Sequence, residues 1–301
     1  IIIMTRPKYT LTSEEKINAT WQDALEYESS YQVGYMRDFF ESAEWYNLIP
    51  RFDNKAYFVP ANNVYYAYAS NENNTEIVVA YGPYFERKGL LNKLIRFDTL
   101  YIAMQYLSLA LSKKTYMGVG RNLSYRKSTF MKNKGFTSHY NIPSGDDDLF
   151  ISQVANKNNT SVYIDAVNRV ESEPKRSWGN WIRQKRRHYS TGIKYKSNIN
   201  RILGLLLGSR LIYYPSLIAL FLLPAAFEIS LGKIYYFVVI GVFALIHYIT
   251  QFVIYHKCAK QLGEKHLGLA FTPIYDCFFM IFLTIIGFWS AISKPKGWCF
   301  F

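Results

Sequence analysis

Three groups of side chains have the types and spacing that chemistry requires. The first is Ser144-Gly145-Asp146-Asp147-Asp148-Leu149-Phe150, where three carboxylates stand side by side. Adjacent carboxylates repel one another and resist burial, so such a run fits a solvated loop or a cation site. The alternative is a general base at a helix start, flanked by acids that orient a hydroxyl. The second group is Gln184-Lys185-Arg186-Arg187-His188, whose plainest account is a basic helix beside a membrane. The third is Gly118-Val119-Gly120-Arg121-Asn122-Leu123-Ser124-Tyr125-Arg126, followed by Gly135-Phe136. Its glycines permit close backbone approach, and Asn122 and Arg126 offer hydrogen-bond donors; a turn ahead of a helix would look the same. Cys258, Cys277 and Cys299 have no close spacing, so neither a zinc site nor a disulfide framework is expected.

These groups need elements to position them, and residues 85–200 have a mixed α/β pattern. Apolar residues recur at helical spacing from Leu91 to Leu111, with Lys113-Lys114 placing cations at the C-terminal end of the dipole. Ser161–Ile164 is a short strand after the polar turn Asn156–Thr160. Ser177–Tyr189 is a basic amphipathic helix leading towards the last third of the chain.

That last third is apolar. Half of the 301 residues are hydrophobic, yet the charge lies mostly before residue 201. Leu211–Phe227 holds 17 residues without a charge, and extension back to Ile202 adds only Arg210. Ile234–Tyr255 and Phe271–Ile292 hold 22 residues each, with His247 in one and Asp276 in the first turns of the other. A spanning helix needs about 20 mostly apolar residues, which predicts three spans, near residues 202–227, 234–255 and 271–292. Asp276 and His247 are candidate functional groups, since ionisable residues inside membranes often are; a position near a segment end or against a neighbouring helix would account for either. The net charge of +13 gathers in large part just ahead of the first span. Basic flanks there, and Lys257, Lys260 and Lys265 in the loop His256–His266, place both on the cytoplasmic side, facing membrane lipids. A nucleic-acid partner is not expected.

Order and spacing add a resemblance. The Gly-x-Asn…Tyr-Arg turn, Gly135-Phe136, the Gly145-Asp146-Asp147 cluster, Glu173-Pro174 and a Gln184-x-x-Arg187 element just before apolar helices resemble the family-2 membrane glycosyltransferases, grouped with cellulose, chitin and hyaluronan synthases. The segment Phe85–Phe97 is similar to a connector of that family, and the resemblance covers about residues 81–301. It implies the acceptor half of a GT-A type α/β domain, over 83–200, followed by about three transmembrane helices over 201–301. It further implies inverting transfer from a nucleotide-sugar donor to a lipid-linked or glycan acceptor, as in polysaccharide biosynthesis. By position, Asp147 matches the family's catalytic base, supported by Asp146 and Asp148. Gln184 and Arg187 match the positions that hold the acceptor end and donor diphosphate, with His188 where the family usually has Trp and with Asn122 and Arg126 nearby. That departure favours transfer of single sugars at least as much as polymerisation. The implied setting is a bacterial inner membrane, with the catalytic part in the cytoplasm.

The family also implies a divalent metal, Mg or Mn, held by an Asp-x-Asp in a nucleotide-binding half, and residues 1–84 contain no such motif. The expectation is therefore a transferase truncated on its donor side and inactive alone. Trp21–Leu25, Met36–Glu41, Trp45–Pro50 and the alternating strands through Tyr65–Tyr68 and Ile77–Tyr81 instead resemble the end of an apiosidase-like glycoside hydrolase over about residues 15–82. That implies a small α+β segment with antiparallel strands, joined near Tyr81-Gly82 as a chimaera or misjoined fragment. Glu26, Asp38, Glu41 and Glu44 are expected to solvate a helix face there. The alternatives to transfer are a hydrolase-derived protein or a non-enzymatic membrane anchor.

Overall fold

The structure is a computed structural model and describes residues 45–47, 75–135, 138, 147–166, 170–192, 194–226 and 233–293. Its centre is a mixed sheet of four strands: β1 (Trp45–Asn47), β2 (Ile77–Ala80), β3 (Leu123–Arg126) and β4 (Thr160–Tyr163), in the order β1-β3-β2-β4. β3 runs antiparallel to β1 and β2, while β4 runs parallel to β2 with Ile77 opposite Thr160. Ile77-Val78-Val79 are β-branched residues suited to a pleated surface. All four residues of β2 are buried, as expected of a strand covered on both faces. This corrects the alternating strand expected over Ile77–Tyr81. β2 also precedes the expected join at Tyr81-Gly82, yet it is the strand between β3 and β4. Most of the remaining hydrolase-like stretch, with Trp21–Leu25, Met36–Glu41, Tyr65–Tyr68 and the acids Glu26, Asp38, Glu41 and Glu44, lies outside the described residues.

Helix α1 (Leu90–Leu111) packs against β2 and β4, and Tyr106 donates its hydroxyl to the Ala80 carbonyl at 2.8 Å. Its end is a Schellman turn: Lys114 N–H donates to Leu109 O at 2.7 Å and Lys113 N–H to Ala110 O at 2.9 Å. Lys113 takes the left-handed position that glycine usually fills, with φ of 58°. After β3 come the short α2 (Lys127–Lys132), α3 (Asp148–Val154) and, beyond β4, α4 (Trp178–Gly192). Tyr125, Phe130 and Phe150 form an aromatic core with centroids 5.0–5.7 Å apart. Ser177 caps α4, its hydroxyl accepting from Asn180 N–H at 3.3 Å.

Among the described residues, three helices are long and apolar enough to cross a membrane: α5 (Ser197–Ala226), α6 (Lys233–Gln261) and α7 (Thr272–Ile292). α6 runs past the expected end at Tyr255, so Lys257 and Lys260 are helical rather than in a loop. The cause is an apolar stripe of Tyr255, Ala259 and Leu262, which continues to be buried until Gly263 turns the chain. Gly263 has φ of 68°, and the Schellman bond from Glu264 N–H to Ala259 O (2.8 Å) closes the helix. That turn drives Glu264 into the α/β part. There its carboxylate accepts from Arg96 Nη2 at 2.6 Å and from the Tyr81 hydroxyl at 2.9 Å. The α6–α7 turn and the sheet therefore lie on the same side of the apolar helices, the relation that the basic residues predicted.

Candidate active site

The acidic run divides into unlike parts. Asp146 lies outside the described residues. Asp147 is the N-cap of α3, with Oδ1 accepting from Asp148 N–H at 2.9 Å. Its Oδ2 accepts from Gly120 N–H at 2.8 Å, which ties it to the turn before β3. Two backbone donors thus fix where this half-buried carboxylate points. Asp148 turns inward instead and is buried, accepting from Leu149 N–H (2.8 Å), the Thr191 hydroxyl (3.0 Å) and the Tyr195 hydroxyl. Burial, and then the Asp148 charge, hold the Tyr195 phenol well above its usual range.

The turn itself is compact because Gly118 has no side chain; a Cβ there would lie 2.7 Å from Leu123 Cδ1. A 3-10 turn over Gly120–Asn122 follows. Arg121 leaves it to donate to Gly82 O from Nε (2.9 Å) and Nη2 (2.6 Å), and to the Tyr84 hydroxyl from Nη1 (2.9 Å). Its guanidinium also lies 4.1 Å from the centroid of the Tyr84 ring. Gln184 Nε2 of α4 donates to the same hydroxyl at 3.1 Å. Asp147, Arg121, Tyr84 and Gln184 are therefore gathered at the carboxyl end of β2, where open α/β sheets bind ligands.

The other expected residues separate. Arg187 and His188 follow Gln184 at i+3 and i+4 on α4, which places them on one helix face. His188 is exposed; desolvation by neighbouring protein atoms, and then the cations Arg187, Lys185 and Arg121, lower its pKa and favour the neutral imidazole. Asn122 lies under the site with its amide committed to Tyr81 O at 2.7 Å, so it shapes the β2–β3 junction. Arg126 stands at the far end of β3, with Nε on Thr75 O at 3.0 Å.

Lys185 departs most from a solvated basic helix. It is buried and paired with the buried Asp98 of α1. Burial raises the Asp98 carboxyl above its ordinary range, while Lys185 acts in the opposite direction. Arg121, Tyr84 and the Asp98–Lys185 pair were missed in the sequence. Arg121 and Lys185 stand inside candidate runs, the Gly-x-Gly-Arg-Asn turn and the Gln184–His188 stretch, while Tyr84 and Asp98 carry no local signal.

Asp276 and His247 sit among the apolar helices. The Asp276 carboxylate accepts from Arg210 (2.9 Å), the Tyr214 hydroxyl (2.9 Å) and Gln251 (3.0 Å). His247 lies 4.1 Å from the Tyr213 ring. This cluster joins three helices near the α/β part and is separate from Asp147.

The implied divalent metal finds no fitting ligand set among the described residues. No group of three His, Cys, Asp or Glu side chains comes together there, and both Asp147 and Asp148 are engaged by protein donors.

No curated protein matches the chain. Residues 60–290 match the description of glycosyl transferase family group 2. The matched range takes in the whole site and residues 60–82, so neither the match nor the sheet supports a glycoside-hydrolase origin for that stretch. A match across well over half of the 301 residues, with Asp147, Arg121 and Gln184 all inside it, places the chain in glycosyl transferase family group 2.

Proposed function

We propose that this chain is a membrane glycosyltransferase that moves one sugar from a nucleotide-sugar to a lipid-linked or glycan acceptor, with inversion at the anomeric carbon. The observation that carries the proposal is the carboxylate of Asp147, aimed by two backbone N–H groups at the carboxyl end of β2. The acceptor hydroxyl attacks the anomeric carbon in line and gives its proton to Asp147. The bond from that carbon to the diphosphate oxygen breaks, and the diphosphate leaves with the electron pair. Arg187 and Arg121 supply positive charge for the leaving group. Gln184 and His188 line the acceptor side, where a neutral imidazole can stack on a sugar. A divalent metal belongs to the family chemistry. The catalytic part faces the cytoplasm of a bacterial inner membrane.

Membranes carrying the full chain together with a separately expressed nucleotide-binding half of the family, incubated with labelled nucleotide-sugars, test the reading. Transfer to lipid or glycan is expected in the wild type, and Asp147→Asn should lower the rate by about 10²–10⁴-fold with membrane insertion intact. A wild-type rate in that variant overturns the base assignment. Sugar released from polysaccharide, in place of transfer, overturns the reaction class.

A further inference from the structure

α7 has the length and composition of a membrane span, yet its partners place it elsewhere. One stripe, Tyr275, Phe279, Leu283, Ile286 and Ser290, is buried, and the opposite stripe, Ile274, Ile281, Ile285, Phe288 and Ile292, is exposed. Near its start α7 meets α1, where Phe97 lies 4.7 Å from Tyr275 and 5.8 Å from Phe279. From there it runs along α4. Phe282 stacks on Trp181 at 4.7 Å, Trp289 lies 3.9 Å beneath the Arg186 guanidinium, and Ser293 O accepts from Arg186 Nη2 at 2.7 Å.

α4 cannot follow a spanning helix into hydrocarbon. Within 15 residues it carries Arg183, Gln184, Lys185, Arg186, Arg187 and His188. It is also bound to the α/β part through Lys185–Asp98 and Thr191–Asp148. Charged side chains in the bilayer centre are costly, and α7 stays beside this helix to its last turn. α5 and α6 behave differently. Beyond the Asp276 cluster, Arg210 to Ala226 extends about 24 Å and Gln251 back to Lys233 about 27 Å. Both lengths approach the hydrocarbon core of about 30 Å, and many apolar residues along these stretches are exposed.

We propose that only α5 and α6 cross the bilayer. α7 lies in the plane of the leaflet on the side of the α/β part, with its exposed apolar stripe among the lipid acyl chains. An in-plane helix with one apolar face and a basic neighbour suits that position. The partner of this surface is the lipid leaflet, and the helix fixes the height of α4 above it. The proposal does not depend on which reaction the site performs.

The two arrangements leave the chain after α7 on opposite sides. In the full chain with Cys258→Ser and Cys277→Ser, Cys299 reports the side reached after α7. In a background that also carries Cys299→Ser, Lys175→Cys reports the α/β side and Ser230→Cys reports the link between α5 and α6. Each protein is treated with a membrane-impermeant maleimide in right-side-out and inverted vesicles. Cys299 is expected to label in the same vesicle orientation as position 175, with position 230 labelling in the other. Labelling of Cys299 with position 230 means that α7 crosses, and overturns the proposal. Labelling of position 230 with position 175 overturns it too, because the hairpin would not cross.

Discussion

Asp147 and Asp148 are neighbours of one chemical type, and what distinguishes them is direction. Asp147 is held by two main-chain N–H groups at the mouth of the site. Asp148 is spent on Thr191 and Tyr195, which join the start of α3 to the end of α4. Tyr84 has a comparable linking role, since its hydroxyl accepts from both Arg121 and Gln184. Tyr84→Phe keeps the ring under Arg121 and removes that acceptor. A net hydrogen bond is worth about 1 kcal/mol, or about fivefold in rate, so a 5- to 20-fold lower kcat/KM is expected in transfer assays, roughly one to two such bonds. A second prediction concerns Lys185→Met, which leaves Asp98 buried without its partner and should cost about 3–5 kcal/mol of stability. Burial already raises the Asp98 pKa in the folded state, so the folded form holds the proton more tightly than the unfolded one. The cost should therefore shrink as pH falls towards the ordinary carboxylate range and grow as pH rises above it. Melting curves of the purified variant at pH 5 and pH 8 measure this; a larger deficit at pH 5 would count against a buried, unpaired carboxylate.

At the scale of elements, the helices were legible and the ties between them were not. Periodicity located α1 to within one residue, and the apolar runs located α5, α6 and α7, because these patterns are written in consecutive residues. The acid run was also visible as a candidate helix start, which is where Asp147 stands. What sequence could not show is that Lys185 faces inward, that Arg126 and Asn122 serve backbone carbonyls, or that Glu264 reaches the sheet. Each depends on a partner far along the chain, brought there by turns. Gly263 shows how one turn decides the matter. Its left-handed backbone ends α6 and presents Glu264 to Arg96 and Tyr81. Glu264→Ala removes the buried carboxylate from Arg96 and leaves its guanidinium to the Lys265 carbonyl (2.7 Å) and the more exposed Glu86 (3.4 Å), and about 3–5 kcal/mol of destabilisation is expected. Gly263→Val strains the turn itself and should cost about 1–3 kcal/mol. Thermal unfolding in detergent would rank the two, and a milder loss for Glu264→Ala would show that Glu86, already 3.4 Å from Arg96, carries the pairing.

At the scale of the molecule, the α/β part and the apolar helices share one core. Phe97 of α1 stacks against Tyr255 of α6 at 5.1 Å and against Tyr275 and Phe279 of α7. Arg210 of α5 reaches the Tyr101 hydroxyl of α1, and Trp181 of α4 packs on Phe282. Removing the apolar helices would uncover Phe97, Tyr101 and Trp181 together and leave Arg96 without Glu264. Burial of a large apolar side chain contributes about 1.5–3 kcal/mol, and a domain's whole stability is about 5–15 kcal/mol. Loss of these contacts is thus of the same order as the stability available. Residues 1–196 alone should therefore fail to give a folded soluble domain, while the full chain in detergent should unfold in one transition. Tryptophan fluorescence and protease resistance, followed on the same heating ramp, distinguish one transition from two. A truncated chain that resists protease as well as the full chain would show that the sheet and its site fold without their membrane part.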